Sequence, residues 1–259
     1  MDNVERFPIQ RITREGKVDT EEVVARELPV TIILNGQELV TMLSSPKDLE
    51  YLVVGFLASE GLLKSKGEIK KILVDNERGV VRLETVEDKG FASDVLFKRV
   101  ISSGCGRGAS FYSAADATSQ KVESQMKISA DEVFALVLEF QHGSELHLAT
   151  HGVHSAALCD QRSILVFSDD IGRHNAIDKI FGKCLLEDIP TRDRIVISSG
   201  RISSEILHKV AKRGVPVIIS ISAPTNLGVR IAFDLGITLI ASVRGKRMNV
   251  YTHGWRVTD

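Results

Sequence analysis

The chain has 259 residues and is poor in cysteine, with only Cys105, Cys159 and Cys184. Their wide separation matches neither a disulfide framework nor a paired Cys-x-x-Cys zinc site. It also lacks a charge excess: 33 Lys and Arg face 34 Asp and Glu, a formal net charge of −1. Bulk charge therefore gives no signal for nucleic acid or a membrane surface, and any anionic ligand must be held by a local cluster. No apolar run approaches the roughly 20 residues that span a bilayer. The segment Met1–Pro8 shows no basic-then-apolar signal pattern, so the expectation is a cytoplasmic protein without membrane attachment. No G-x-G-x-x-G, Walker loop or G-x-S-x-G elbow is present, and there is no internal repeat or low-complexity tract. The remaining composition, 43% hydrophobic and 26% charged, is that of an ordinary globular chain of one large or two modest domains.

Hydrophobic patterning divides the chain. The first half reads as strands with few helices. Val30–Leu34 and Glu38–Met42 flank Asn35-Gly36, a strong hairpin signal. Ser45-Pro46 has the form of a helix start, with Ser45 as N-cap and Pro46 at the first helical position. Leu49, Leu52, Val53, Phe56 and Leu57 supply the apolar stripe, and Gly61 the stop. A second hairpin, Lys71–Val74 with Val80–Leu83, turns through Asn76–Gly79. A strand at 95–101 leads to Cys105. Residues 113–128 are polar and read as a linker, and Ser129–Glu132 is a capping box opening a helix to Phe140. From there strands alternate with helices: Ile164–Phe167, Arg194–Ile197, Val215–Ile221, Ile237–Ile240 and Met248–Thr252. Continuous apolar strands between helices predict an α/β fold whose sheet is covered on both faces. The expected organisation is a smaller strand-rich unit over 1–125 carrying Cys105 and an α/β unit over 126–259.

Two groups of residues carry chemistry. In Ser102–Gly108 a single cysteine stands between glycines beside Arg107. Glycine lets another molecule approach the sulfur closely, and an arginine favours the nucleophilic thiolate. A surface loop that merely contains a cysteine is the plainer reading. Cys184 shares a helical face with Ile177, Ile180 and Phe181, and Cys159 follows Ala156–Leu158; both read as packing. The second group gathers at predicted strand ends, where open α/β sheets bind ligands: Ser168–Asn175, Ser198–Ser204, Ser222–Asn226 and Ser242–Arg247. Helix starts rich in Gly and Ser offer free N–H groups to an anion, and Arg173, Arg201, Arg244, Lys246 and Arg247 can add charge-assisted bonds. Asp169 and Asp170 are candidates to accept from a base or ribose. Together these loops point to a phosphorylated, nucleotide-like ligand, although each alone is also an ordinary cap or turn. His174 reads as a ligand contact and His253 as a weaker one. His151 and His154, three apart, lack the further ligands a zinc site needs.

Taken in order, Asn35-Gly36, Ser45–Asp48, Gly55–Gly61, Thr150–His154, Asp170–Lys179, Ser199–Glu205, Ser222–Thr225 and Val250–His253 resemble the FdhD family of formate dehydrogenase accessory sulfurtransferases. The resemblance implies a C-terminal three-layer domain of the cytidine-deaminase-like type. It implies a homodimer that takes persulfide sulfur from a cysteine desulfurase. It also implies that this sulfur passes to the molybdenum cofactor, a bis(molybdopterin guanine dinucleotide) held as substrate, before that cofactor enters formate dehydrogenase. A free guanine nucleotide is a second ligand of the same kind. The family's persulfide cysteine matches Cys105, and its cofactor-binding stretch matches Ser242, Val243, Arg244, Gly245, Lys246 and Arg247; the strand-end reading above adds His174 and Arg201 as secondary contacts. The deaminase H-x-E and P-C-x-x-C zinc signature is absent, so no structural metal is expected and the fold serves binding. Family members often carry Cys-x-x-Cys, whereas Gly108 stands at the second position here. A cofactor-binding chaperone without sulfur transfer is the alternative reading.

Overall fold

The computed structural model describes residues 3–87, 99–101, 109–111 and 121–259. The chain opens with a hairpin of its own. Strands β1 (Val4–Thr13) and β2 (Gly16–Ala25) pair antiparallel along their whole length. Strands β3 (Leu28–Leu34) and β4 (Gln37–Ser44) form the hairpin expected at Asn35-Gly36. Both turn residues have positive φ, 50° and 80°, the conformation a two-residue type I′ turn requires. With β5 (Ile69–Asp75) and β6 (Val80–Thr85) they make a four-stranded sheet of order β4-β3-β6-β5. Helix α1 (Leu49–Ser59) lies on it. Val30, Ile32 and Leu34, two apart on β3, bury against Leu52, Val53, Phe56 and Leu57 of that helix. Each such side chain contributes about 1.5–3 kcal/mol when removed from water.

Helix α1 begins later than Ser45-Pro46 suggests. Its N-cap is Asp48, at φ 59°, and no side chain caps it. Ser45 is instead spent on the other half of the chain: its N–H donates to Asp170 Oδ2 (3.1 Å) and its hydroxyl accepts from the Ile171 N–H (3.1 Å). Buried long-range bonds have displaced a local cap, which is worth only about 1 kcal/mol. Gly61, at φ 79°, ends the helix as expected. Farther on, β7 (Arg99–Ile101) pairs antiparallel with β8 (Ala109–Phe111). The stretch 102–108, with Cys105 and Arg107, lies outside the described residues. Of the expected linker, 121–128 is described, and it is fastened down. Val122 is buried, its N–H donates to the Leu235 carbonyl, and Ile128 enters the short strand β9 (Ile128–Ser129).

The second half holds helices α2 (Ala130–His142), α3 (Glu145–Thr150), α4 (Arg173–Leu186), α5 (Ser204–Lys212) and α6 (Asn226–Asp234). The capping box at Ser129 and Glu132 is formed reciprocally, as its sequence predicts. Strands β10 (His154–Cys159), β11 (Ile164–Asp170), β12 (Ile195–Ser198), β13 (Val217–Ser220), β14 (Thr238–Arg244) and β15 (Arg247–Val250) form one sheet of order β11-β10-β12-β13-β14-β15. β12, β13 and β14 run parallel; β10 and β15 run against their neighbours. A last strand, β16 (Val257–Thr258), pairs with β9. Alternate residues of the sheet feed two cores. Val196, Ile218 and Leu239 pack with Ile177, Phe181 and Leu207, beneath α4, α5 and α6. Ile197, Ile219 and Ile240 pack with Val133, Leu136 and Phe140 of α2. The sheet is thus covered on both faces, the three-layer α/β arrangement that the apolar strands predict.

The halves meet where α1 crosses α4, backbone against backbone. A Cβ on Gly55 would land on the Asp178 carbonyl, and one on Gly182 on the Tyr51 carbonyl. Two ion pairs sit inside this seam. Lys179 Nζ lies 2.6 Å from Asp170 Oδ2, both side chains buried, and Lys209 pairs with Asp178, which also accepts from the Ser59 hydroxyl.

Candidate functional site

Parallel strands put their carboxyl ends on one edge, and the register places all four expected loops there. β11 and β12 both run antiparallel to β10, so they share a direction. Asp170, Ser198, Ser220 and Arg244 therefore end on the same side. Hydrogen bonds stitch the loops together. The Ser220 hydroxyl donates to the Gly200 carbonyl (2.8 Å), the Ser242 N–H to the Ser222 carbonyl (3.0 Å), and the Thr225 N–H to the Ile202 carbonyl (2.9 Å). Helices α4 and α5 start at this edge from Gly172 and Ser203 with no side-chain cap. Helix starts without a capping side chain are where anions are commonly received. Gly200 is required here: a Cβ would stand 2.8 Å from Arg173 Cβ and Cδ, across the stem of that arginine.

Two histidines join the edge. His174 Nε2 lies 3.3 Å from Glu205 Oε2. Burial first, then the positive charges of Lys209 and Arg173, push its pKa down to about 3. His154 opens β10 with Nδ1 3.2 Å from the Ser199 hydroxyl, which accepts from the Ser155 N–H. Burial and then Arg173 lower its pKa as well. Both rings are held toward the neutral form, which keeps one donor and one acceptor apiece. Such rings suit the polar edge of a base better than the neutralisation of a phosphate. Positive charge comes from the arginines: Arg201 is exposed on the loop after β12.

The stretch Ser242–Arg247 is a hairpin tip. Ser242 has φ 56° at an irregularity between Ala241 and Arg244, and Arg244 faces Arg247 across the turn Gly245-Lys246. Val243 is buried in the core beside Ile240, so its side chain is closed to a ligand and only its backbone stays near the edge. Arg244, Lys246 and Arg247 are exposed. None of the three, nor Arg201, takes part in the salt bridges formed among the described residues. Like charges placed directly opposite across a hairpin destabilise it.

Other candidates leave the site. Asp170 takes no ligand: its carboxylate accepts from the Ser44 hydroxyl, the Ser45 and Gly172 N–H groups and Asn175 Nδ2, besides Lys179. Asp169 accepts from the Ser144 and Ser155 hydroxyls. His253 sits at the opposite edge, where Thr238 begins β14; its ring stacks on Phe233 and contacts the Phe233 carbonyl. His151 caps α3 and is exposed. Among the described residues no three or more His, Cys, Asp or Glu are grouped to hold a metal ion. Sequence reasoning missed the pairing of His154 with Ser199 and of His174 with Glu205. The only local hint of Glu205 was an acid in the first turn of a helix, where acids are common anyway.

Cys159 and Cys184 are both buried, and burial pushes each thiol up to about 12. Neither supplies a thiolate at ordinary pH. The assignment of Cys105 and Arg107 falls outside the described residues.

With this geometry in place, the chain was compared with known proteins. The FdhD/NarQ family model matches residues 25–258. A protein of Bacillus pumilus named "Sulfur carrier protein FdhD" is 47% identical over 249 residues, covering 95% of this chain and 95% of that protein. One of Bacillus subtilis with the same name is 45% identical over 247 residues, covering 95% and 94%. A crystal structure from Desulfotalea psychrophila, described as a formate dehydrogenase accessory protein, superposes with a TM-score of 0.83 at 28% identity, covering 99% of this chain and 100% of that one.

Proposed function

The chain belongs to the FdhD/NarQ family, and on that footing we propose that it is a sulfur carrier serving formate dehydrogenase, with Cys105 as the carrying residue. The Cys105 thiolate attacks the terminal sulfur of a cysteine desulfurase persulfide. The new S–S bond forms on Cys105, and the desulfurase cysteine leaves as thiolate. The terminal sulfur, at the sulfane level, is then taken up by the reduced metal of the molybdenum cofactor, the bis(molybdopterin guanine dinucleotide) substrate, which gives up two electrons as the sulfur becomes its sulfido ligand, and Cys105 returns as thiolate. The observation that carries this reading is one of elimination. Of three cysteines, two are buried with thiols raised to about 12, which leaves Cys105 for the chemistry.

The carboxyl edge of the sheet is the proposed seat of the cofactor. Arg244, Lys246, Arg247 and Arg201 meet its phosphates, the uncapped starts of α4 and α5 add N–H donors, and His174 and His154 face the guanine or pterin edges. The working protein is proposed to be a homodimer in the cytoplasm, where thiols stay reduced. Gly108 leaves no resolving thiol three residues on, so Cys105 acts alone. That departure also keeps a second reading in play, a cofactor-binding chaperone without sulfur transfer. Replacement of Cys105 by Ala separates the two. A carrier loses all support of formate dehydrogenase activity, whereas a chaperone retains it; retained activity would end the carrier reading.

A further inference from the structure

Ser199 is held on both sides by one residue of the neighbouring strand. Its N–H donates to the Ser155 carbonyl (3.0 Å), and its hydroxyl oxygen accepts from the Ser155 N–H (2.9 Å). The two bonds prolong the β10–β12 ladder one rung beyond Ala156 and Ser198, with a side-chain oxygen where a carbonyl would stand. The hydroxyl therefore has a fixed place, 3.2 Å from Nδ1 of His154. His154 begins β10 opposite Asp170, at the carboxyl edge of β11 and β12.

Proton counting then decides the state of the ring. A hydroxyl carries one proton, and a backbone N–H can only donate. The bond from Ser155 thus leaves the Ser199 proton unspent. Among the described residues the only acceptor offered to it is His154 Nδ1. A hydrogen on Nδ1 would instead bring a second donor to the same oxygen and leave the hydroxyl proton without a protein acceptor. Burial first, then Arg173, lower the His154 pKa from 6.5, so at about pH 8 the ring is neutral, with one N–H and one lone pair. The lone pair belongs at Nδ1 and the hydrogen at Nε2. Nε2 has no partner among the described residues and is not one of the buried unpartnered atoms, so it stays open at the edge.

We propose that Ser199 is a positioning residue: it holds His154 as the Nε2–H tautomer, so that the ring offers a donor to an oxo group of the bound cofactor. Guanine and pterin both carry such a carbonyl, whereas adenine has an amine donor where guanine has O6. A fixed donor selects the oxo ring; a ring that exchanges its proton between nitrogens serves either. The partner, not the residue type, sets the tautomer, as two other histidines illustrate. His147 Nδ1 lies 3.0 Å from the Val153 carbonyl, and His253 Nε2 2.9 Å from the Phe233 carbonyl. A carbonyl only accepts, so the hydrogen sits on Nδ1 in His147 and on Nε2 in His253.

The proposal rests on the edge being the cofactor seat and adds what one ring reads there; the tautomer and the recognition are measured separately. Long-range proton–nitrogen NMR of the isotopically labelled full chain, at about pH 8 and without ligand, reads the tautomer. His154 is expected with its hydrogen on Nε2, like His253 and opposite to His147. A hydrogen on Nδ1, or exchange between the two nitrogens, would overturn the proposal, and this result does not depend on how any variant folds. Calorimetric titration with guanosine diphosphate, adenosine diphosphate and neopterin reads the recognition in the wild type and in Ser199→Ala. The wild type should prefer the guanine nucleotide to the adenine one about tenfold or more, and the variant should lose at least about threefold of that preference. A fall for neopterin alone would assign the contact to the pterin; no fall for either oxo ligand would overturn the recognition. A wild type that binds none of the three would refute the cofactor seat, and the recognition with it.

Discussion

Alanine at Gly182 is a perturbation whose sign depends on the reading of the seam. By helix propensity alone, Gly→Ala in the interior of α4 stabilises by about 1 kcal/mol. The structure predicts the opposite. The new methyl would overlap the Tyr51 carbonyl and sit 2.7 Å from the Gly55 nitrogen, so it meets backbone rather than a yielding side chain. Overpacking of this kind costs about 1–3 kcal/mol, and more where nothing can rotate away. Separating α1 from α4 also pulls the Ser59 hydroxyl off the buried, ion-paired carboxylate of Asp178. The net expectation is a loss of about 2–4 kcal/mol, read as a lower urea midpoint with an unchanged slope. Gly67→Ala is the control, since its nearest neighbour is Ser65 Oγ at 3.7 Å. Gly55→Ala should cost about as much as Gly182→Ala. The double variant should fall well short of additive, because the first methyl has already parted the helices. Gly182→Ala as stable as wild type, or more so, would refute the close crossing and with it the tie between the first half and the loop that carries His174.

Further expectations concern the edge itself. His174 is shifted from 6.5 to about 3 in the fold, so below pH 6.5 the unfolded chain binds a proton that the native state refuses. Stability should therefore fall as pH drops from 6.5 toward 3, by up to about 1.4 kcal/mol per pH unit from this group, and be indifferent to it above 6.5. His174→Gln should flatten that part of the curve in pH-dependent urea denaturation; an unchanged slope would mean His174 is not the buried neutral group described. Replacement of Arg244, Lys246 or Arg247 by Ala should weaken guanosine diphosphate binding about threefold to tenfold each and shallow its salt dependence, with unfolding midpoints unchanged or slightly raised by the relief of repulsion. Isothermal titration at two salt concentrations checks this, and equal affinities would remove the hairpin tip from the site.

What the sequence could disclose follows the range of the interactions. Asn35-Gly36, the Ser129–Glu132 box and the stop at Gly61 act within a few residues, and all stand where the pattern puts them. The four strand-end loops were also legible, because a β–α alternation sends parallel strands to one edge. Ser45 misled because its partners, Asp170 and Ile171, lie more than a hundred residues away. Asp170 looked free for the same reason, and Asp169 because its partners Ser144 and Ser155 reach it only through the fold. His154 could not be placed without the register of β10 against β12, which no periodicity encodes. The β1–β2 hairpin escaped notice because neither face faces a core of its own chain, so it shows no clean alternation of apolar and polar residues.

The carrier role itself rests on one sulfur atom. The protein is mixed with a cysteine desulfurase and cysteine, and the peptide containing Cys105 is examined by mass spectrometry without reductant. One additional sulfur on Cys105, with Cys159 and Cys184 unmodified, is the predicted result. An unmodified Cys105 beside a desulfurase that loads another acceptor, or sulfur found on either of the other two cysteines, would contradict it.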